Sequence, residues 1–437
     1  MAPFVDYEQY DATGLAELVR RKEVTPGELL ETAAALVAER NPAINAVVFM
    51  DQELARQAID RGLPEGPFTG VPFLLKDLYQ PCAGLPMSNG CRLWDGYVPD
   101  YDSEMVVRYR RAGLVIFGRT TSPEFGLTTT TESRVHGKTR NPWNLGHTSG
   151  GSSGGASATV AAGILPLANA SDGGGSIRIP ASCAGLFGMK PTRARTPAGP
   201  DAGEGWAGMS TVHCVSRSVR DSARLLDATA GPDLGAPYWA EQPALSFAEA
   251  AAKANPGKLR IGLQTDAFNG IPVHPDCVEA ASKAAALCRS LGHEVEETQV
   301  GFDREPLARS TNTIIGANIR ATVLDRAAQL GREWTGEDIE PVTRRMVERS
   351  AEAGADDYAR AVRGIHTAGR QVARFFEDYD VLITPTMATP PLELGRLSLE
   401  RTDDGYIEDV MKTIGFTSLF NATGNPAMSV PLHWNEA

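Results

Sequence analysis

Cysteine is scarce in this chain and shows no pattern. Its six cysteines (Cys82, Cys91, Cys183, Cys214, Cys277 and Cys288) are scattered without C-x-x-C spacing, and with no export signal in view they are expected to be reduced thiols, a structural disulfide being the minority case. There is no HExxH, no D-x-H pair and no Cys/His cluster, so no metal and no other cofactor is expected. No apolar run approaches the ~18 residues a membrane span needs. Basic residues are in deficit, 42 against 54 acidic, for a net charge of −12; this argues against nucleic acid or an anionic membrane as partner. The start, MAPFVDYEQYDATG, is acidic and lacks the apolar segment of a signal peptide, so a cytoplasmic protein is expected. No internal repeat is present.

What is there describes a globular enzyme-sized chain of 437 residues, 42% hydrophobic and 22% charged. Helical patterns cover 16–20, 26–39 (with Thr25 as N-cap and Pro26 in the first turn), 51–61, 103–111, 216–230 and 275–291, and three more lie near 313–329, 336–352 and 356–378. Strand patterns cover 43–50, 71–75, 114–118, 164–168, 259–263, 294–300 and 381–385. Such alternation predicts an α/β fold, a single α/β/α sandwich with a large mixed, twisted sheet covered by helices on both faces. The stretch 128–144 reads as a long loop, and its His136, like the nearby His147, as a hydrogen-bonded loop histidine.

The most informative stretch is Thr148 to Thr192. Two glycine-serine clusters, Gly150-Gly151-Ser152-Ser153-Gly154-Gly155 and Gly173-Gly174-Gly175-Ser176, bracket a run of small apolar residues. On the residues alone, three readings compete. A flexible linker does not alternate with packed apolar segments. A nucleophile elbow matches G-x-S-x-G around Ser152, but the loop RNPWNLGHTSG stands where that motif needs a strand. The third reading joins both clusters to Lys76, which closes the apolar run Val71 to Leu75. Burial there disfavours the ammonium and leaves a neutral amine able to act as a base. Taken by itself, Lys76 reads more simply as a snorkelling lysine paired with Asp77.

The sequence GGSSGG followed by Gly174-Gly175-Ser176-Ile177-Arg178-Ile179-Pro180, with Lys76 upstream, resembles the amidase signature family from about residue 16 to 431. The resemblance implies one amidase domain over 1–437, a signature core at 70–192, a variable substrate loop and connection at 193–258, and a C-terminal half at 259–437 that is expected to end early relative to the family. It implies a catalytic Ser–cisSer–Lys triad: Ser176 as nucleophile, Ser152 in a cis peptide as proton relay, Lys76 as base. Backbone N–H groups of Gly173, Gly174, Gly175 and Ser176 would form the oxyanion hole. Asp172 and Arg178 would hold the nucleophile turn as an internal ion pair, and Ser153 would hydrogen-bond within the triad network. Asn89, Trp206, Met209 and Ile314 are expected to contact substrate, Asn89 and Ser88 otherwise serving as surface-turn residues.

Two stretches, 66–72 and 139–144, are also similar to those of 6-aminohexanoate-cyclic-dimer hydrolases and related broad amidases and urethanases. The expected substrates are water and a neutral, fairly hydrophobic small-molecule amide, anilide or carbamate, with ester cleavage as a side activity, on a monomer or homodimer. A carboxylate substrate would require an arginine clamp, for which Arg193, Arg195 and Arg320 are available. Two alternatives are the glutaminase subunit of a tRNA-dependent amidotransferase and a non-catalytic binding protein on the same fold.

Overall fold

A computed structural model describes residues 4–253 and 255–436; residues 1–3, 254 and 437, inside the expected domain bounds, lie outside that description. Three ladders carry most of its strands. In the first, Val115–Thr120 lies between Pro72–Lys76, to which it is parallel, and the two-residue strand Val47–Val48. The second is antiparallel in the order Ala427–Ser429, Phe187–Lys190, Thr211–Ser216, Leu167–Asp172. The third is parallel, with Arg260–Leu263 between Glu294–Glu297 and Val381–Ile383. The fold is α/β, with its mixed sheet divided into these pieces. The first two meet where the Asn169 side chain accepts the Lys76 N–H at 3.0 Å.

Local chemistry explains the element ends. Thr25 and Glu28 form a capping box, Pro26 opens the helix, and Asn45 in the left-handed region (φ 50°) closes it. This helix, Pro26–Ile44, overruns the start of the strand expected at 43–50. The Asn41 side chain takes the N–H groups of Ala46 and Val47 and donates to the Val47 carbonyl. Those amides are lost to the ladder, and only Val47–Val48 pairs. The stretch 128–144 is less irregular than expected: Glu132–Ser133 pairs with Gly137–Lys138, and Arg140–Asn141 with Asn144–Thr148. The helix expected near 313 begins at Arg304 and runs to Gln329.

Every residue of Pro72–Lys76 is buried, as is every residue of Val115–Thr120. Pro26–Ile44 and Gly154–Ala161 pack on the Pro72–Lys76 strand, and the latter also packs on Leu167–Asp172. Their apolar side chains merge into one large cluster that includes Leu29, Val37, Phe73, Leu75, Phe117 and Val160. A second cluster gathers Met209, Phe268, Ile314, Phe416 and Phe420. Among the described residues no helix is long and apolar enough to cross a membrane, and no group of His, Cys, Asp and Glu is arranged to hold a metal ion.

Candidate active site

The Pro72–Lys76 strand ends inside the protein, and Lys76 is fully buried. Its Nζ lies 2.7 Å from Ser152 Oγ and 3.0 Å from Ser171 Oγ. The ion pair with Asp77 that a surface lysine would make is not formed. Asp77 accepts from the Ser88 amide (2.8 Å) and the Ser88 hydroxyl, and lies 3.3 Å from His136 Nε2. Burial lowers the Lys76 pKa to about 7, with Asp172 pulling weakly the other way. Near neutral pH a large share of this amine is therefore uncharged, with a lone pair to offer a hydroxyl.

Ser152 reaches the amine from a backbone that only glycine permits. A side chain on Gly151 would meet the Thr130 carbonyl oxygen at 2.3 Å, and one on Gly155 the Thr121 hydroxyl at 2.4 Å. The Gly151–Ser152 peptide is cis. On the far side, a side chain on Gly126 (φ 71°) would come within 3.0 Å of Ser152 Oγ, so the Glu124–Gly126 turn backs the hydroxyl closely.

The second cluster is a turn between the Leu167–Asp172 strand and the Arg178–Ala184 helix. Its inner face is fixed by Asp172, fully buried, which pairs with Arg178 at 2.9 and 3.0 Å and accepts from Asn421 Nδ2 at 2.8 Å and from the Ile177 N–H at 3.2 Å. Burial pushes this carboxyl up, but the Arg178 guanidinium more than offsets it, and Asp172 sits well below the usual carboxylate range. Arg178 also donates to the Thr417 carbonyl and Asn421 Oδ1, and Thr417 Oγ1 donates to the Gly174 carbonyl. The outer face consists of the half-buried Ser171, Gly173, Gly174 and Ser176.

Gly175 departs from the expected oxyanion set. It is buried, and its N–H is given to Asp172 Oδ1 at 2.7 Å, so it has no donor left for a substrate. Gly173, Gly174 and Ser176 are half-buried, and among the described residues their N–H groups are not given to Asp172 as that of Gly175 is. Ser176 Oγ has no hydrogen-bond partner among the described residues, and the expected Ser176–Ser152 contact is not made.

Other expected site residues divide. Ser153 is fully buried and does not touch Lys76; its Oγ donates to the Ser171 carbonyl at 3.2 Å and accepts the Ser171 N–H at 3.3 Å. It joins the network only through Ser171. The Trp206 indole lies over Gly173, where an added side chain would meet its ring at 2.7 Å. Asn89 and Ser88 are buried rather than surface-turn residues; Asn89 Oδ1 accepts the Tyr79 N–H at 2.9 Å, a loop-pinning role rather than a substrate contact. Met209 is 2% exposed and Ile314 0%. Both are core, so neither presents a surface to a substrate. Ile315, one residue on, is half-buried and shares its cluster with Trp206. The loop histidine His136 contacts Ser88 Oγ at 2.8 Å, whereas Nδ1 of His147 is buried without a partner among the described residues.

Ser171 escaped the sequence reading. Alternation along its strand is the signal that finds it, because Asn169 and Ser171 lie on one side of the strand and both reach Lys76.

The chain is similar to known proteins over most of its length. The family described as Amidase matches residues 28–437. The 6-aminohexanoate-cyclic-dimer hydrolase of Paenarthrobacter ureafaciens is 38% identical over 436 residues, covering 97% of this chain and 88% of the relative. A solved structure of 6-aminohexanoate cyclic dimer hydrolase superposes with a TM-score of 0.93 at 37% identity, covering 99% of this chain and 92% of the other. A bacterial aryl acylamidase of the amidase signature enzymes superposes with a TM-score of 0.87 at 28% identity, covering 98% and 90%.

Proposed function

Because the chain belongs to the amidase signature family and is an amidase, we propose that it hydrolyses a neutral, fairly hydrophobic amide, anilide or carbamate through an acyl-enzyme on Ser176. One observation carries the reading: a buried amine, its pKa lowered to about 7, within 2.7 Å of the Ser152 hydroxyl. Neutral Lys76 takes the Ser152 proton, and Ser152 takes that of Ser176 as Ser176 Oγ attacks the carbonyl carbon. The negative oxygen of the tetrahedral intermediate turns toward the amides of Gly173, Gly174 and Ser176; one such donor is worth about 3–4 kcal/mol of barrier. As the C–N bond breaks, the proton returns from Lys76 through Ser152 to the leaving nitrogen. Water then attacks the ester by the same relay and releases the acid.

The preference for a neutral substrate is supported by the state of the three arginines. Arg193 donates to the carbonyls of Gly208 and Ala422, Arg195 to that of Glu241, and Arg320 to that of Val347. Each is tied to main chain rather than held open for a carboxylate, which also counts against a glutaminase. The test is Ser176→Ala assayed on a small aryl amide and on 6-aminohexanoate cyclic dimer. Hydrolysis is expected to vanish with the thermal midpoint retained; undiminished turnover would refute the assignment.

A further inference from the structure

Two carboxyl groups that the mechanism does not use lie buried behind Ser152. Glu124 is 2% exposed and Glu340 1%. Glu124 opens the Glu124–Gly126 turn, whose Gly126 main chain abuts Ser152 Oγ. Glu340 precedes the Pro341–Arg349 helix as its N-cap. The two residues are joined directly: Glu124 Oε1 accepts the Glu340 N–H at 2.8 Å. Glu340 Oε1 accepts the Arg134 N–H at 2.9 Å, while Glu340 Oε2 is buried with no partner among the described residues.

Neither carboxyl makes an ion pair among the described residues, and the Arg134 charge only partly offsets their burial. Its guanidinium is bonded to Glu400 at 2.7 and 3.1 Å and to the carbonyls of Glu337 and Ile339. The other groups facing the pair are Cys91, Tyr79, Glu400 and Tyr406. Burial, followed by the nearby Glu124 charge, keeps the Cys91 thiol well above its ordinary value, so it is neutral. Burial raises both glutamates, and for Glu340 the neighbouring Glu124 adds to the rise. Two ionised carboxylates in this dry site would repel each other and demand water.

We propose that Glu124 and Glu340 are positioning residues, a proton-bearing clasp that presses the Glu124–Gly126 turn against Ser152 and lets go when both carboxyls ionise. Phe125 is the spring of this clasp, fully buried at φ 49° and packed edge-on against Trp94 with ring centroids 5.4 Å apart. When the clasp opens, the backing of Ser152 loosens, and its hydroxyl leaves the line to Lys76. The enzyme then has two opposed proton requirements. Lys76 must lose its proton to act as base, and the clasp must keep at least one of its own. Activity rises as pH climbs through the Lys76 transition and falls again at alkaline pH. This inference rests on Ser152 as relay, but the clasp itself is a property of the folded chain.

Glu124→Gln and Glu340→Gln test it, because glutamine keeps the accepting oxygen and cannot ionise. Two readouts are compared on the full chain from pH ~5 to ~9: kcat and the thermal midpoint. Wild type is expected to lose about threefold or more of its peak kcat by pH ~9, and its midpoint to fall from pH ~5 to ~8, because a carboxyl with a raised folded-state pKa loses stability from its unfolded value up to the raised one, here about 7 for Glu124 and about 8 for Glu340. Both glutamine variants are expected to flatten the alkaline limb and to lose less of their midpoint over that window. Equal alkaline losses in wild type and both variants, or no loss in wild type, overturn the clasp. The midpoint needs no turnover, so a protein that melts as expected but hydrolyses no amide would sink the proposed function and leave the clasp standing.

Discussion

Lys76 has two hydroxyls within hydrogen-bond reach, and a neutral amine treats them differently. In the proposed relay its one lone pair accepts the Ser152 proton across the 2.7 Å contact, while an N–H donates to Ser171 Oγ at 3.0 Å. Ser171 therefore fixes which way the lone pair points, and it favours the ammonium, which is the better donor. Ser171→Ala is expected to lower plateau kcat roughly tenfold, a fraction of what a general base contributes in full, with little change in KM. Because the ammonium loses an acceptor, the acidic limb of the kcat profile moves to lower pH. Ser171→Thr, which keeps the hydroxyl, is expected to restore both; loss of activity with an unmoved limb in both variants would make Ser171 merely structural. At this scale the sequence was legible where glycine and serine cluster: the structure brings Lys76 to Ser152 and pairs Asp172 with Arg178. It was not legible for Gly175, since whether a turn amide faces a substrate or an aspartate is a matter of peptide orientation that no residue type records. Nor was it for Ile314, because helical residues one apart point about 100° from each other.

The elements that hold the Ser176 turn come from distant parts of the chain. Asp172 and Arg178 flank the turn, but Thr417 and Asn421 complete it. Removing one partner of a buried pair leaves the other charged and dry, which typically costs about 3–5 kcal/mol. Arg178→Met is expected to lose that much stability in urea unfolding, and the Asp172→Asn/Arg178→Met double variant clearly less. A single variant within ~1 kcal/mol of wild type would show that the pair does not brace the turn. Strands and helices of the N-terminal half were readable because capping residues and unbroken apolar runs mark them, as at Thr25-Pro26 and Val71 to Leu75. Phe187–Lys190 and Thr211–Ser216 were not read as strands. The first ends on the buried Lys190, and the second carries His213 and Cys214 in its interior. Only tertiary burial makes strands of them.

For the molecule as a whole, the proposed preference for neutral substrates rests on the Trp206 indole over Gly173 and on the hydrogen bonds of Arg193, Arg195 and Arg320 to main-chain carbonyls. A panel of anilides, aliphatic amides, urethanes and glutamine is expected to show turnover of the uncharged members. Adding a carboxylate beside the scissile bond is expected to lower kcat/KM by about tenfold or more, since burying an unpaired charge is costly. Exclusive use of glutamine would overturn this reading. The long-range bracing of the nucleophile turn also has a bearing on how activity is acquired. By residue 176 a chain leaving the ribosome already contains every group assigned to the proton relay, yet the carbonyl and amide that steady Arg178 and Asp172 are some 240 residues away along the chain. The bracing of this turn is therefore complete only once the segment carrying Thr417 and Asn421 has docked.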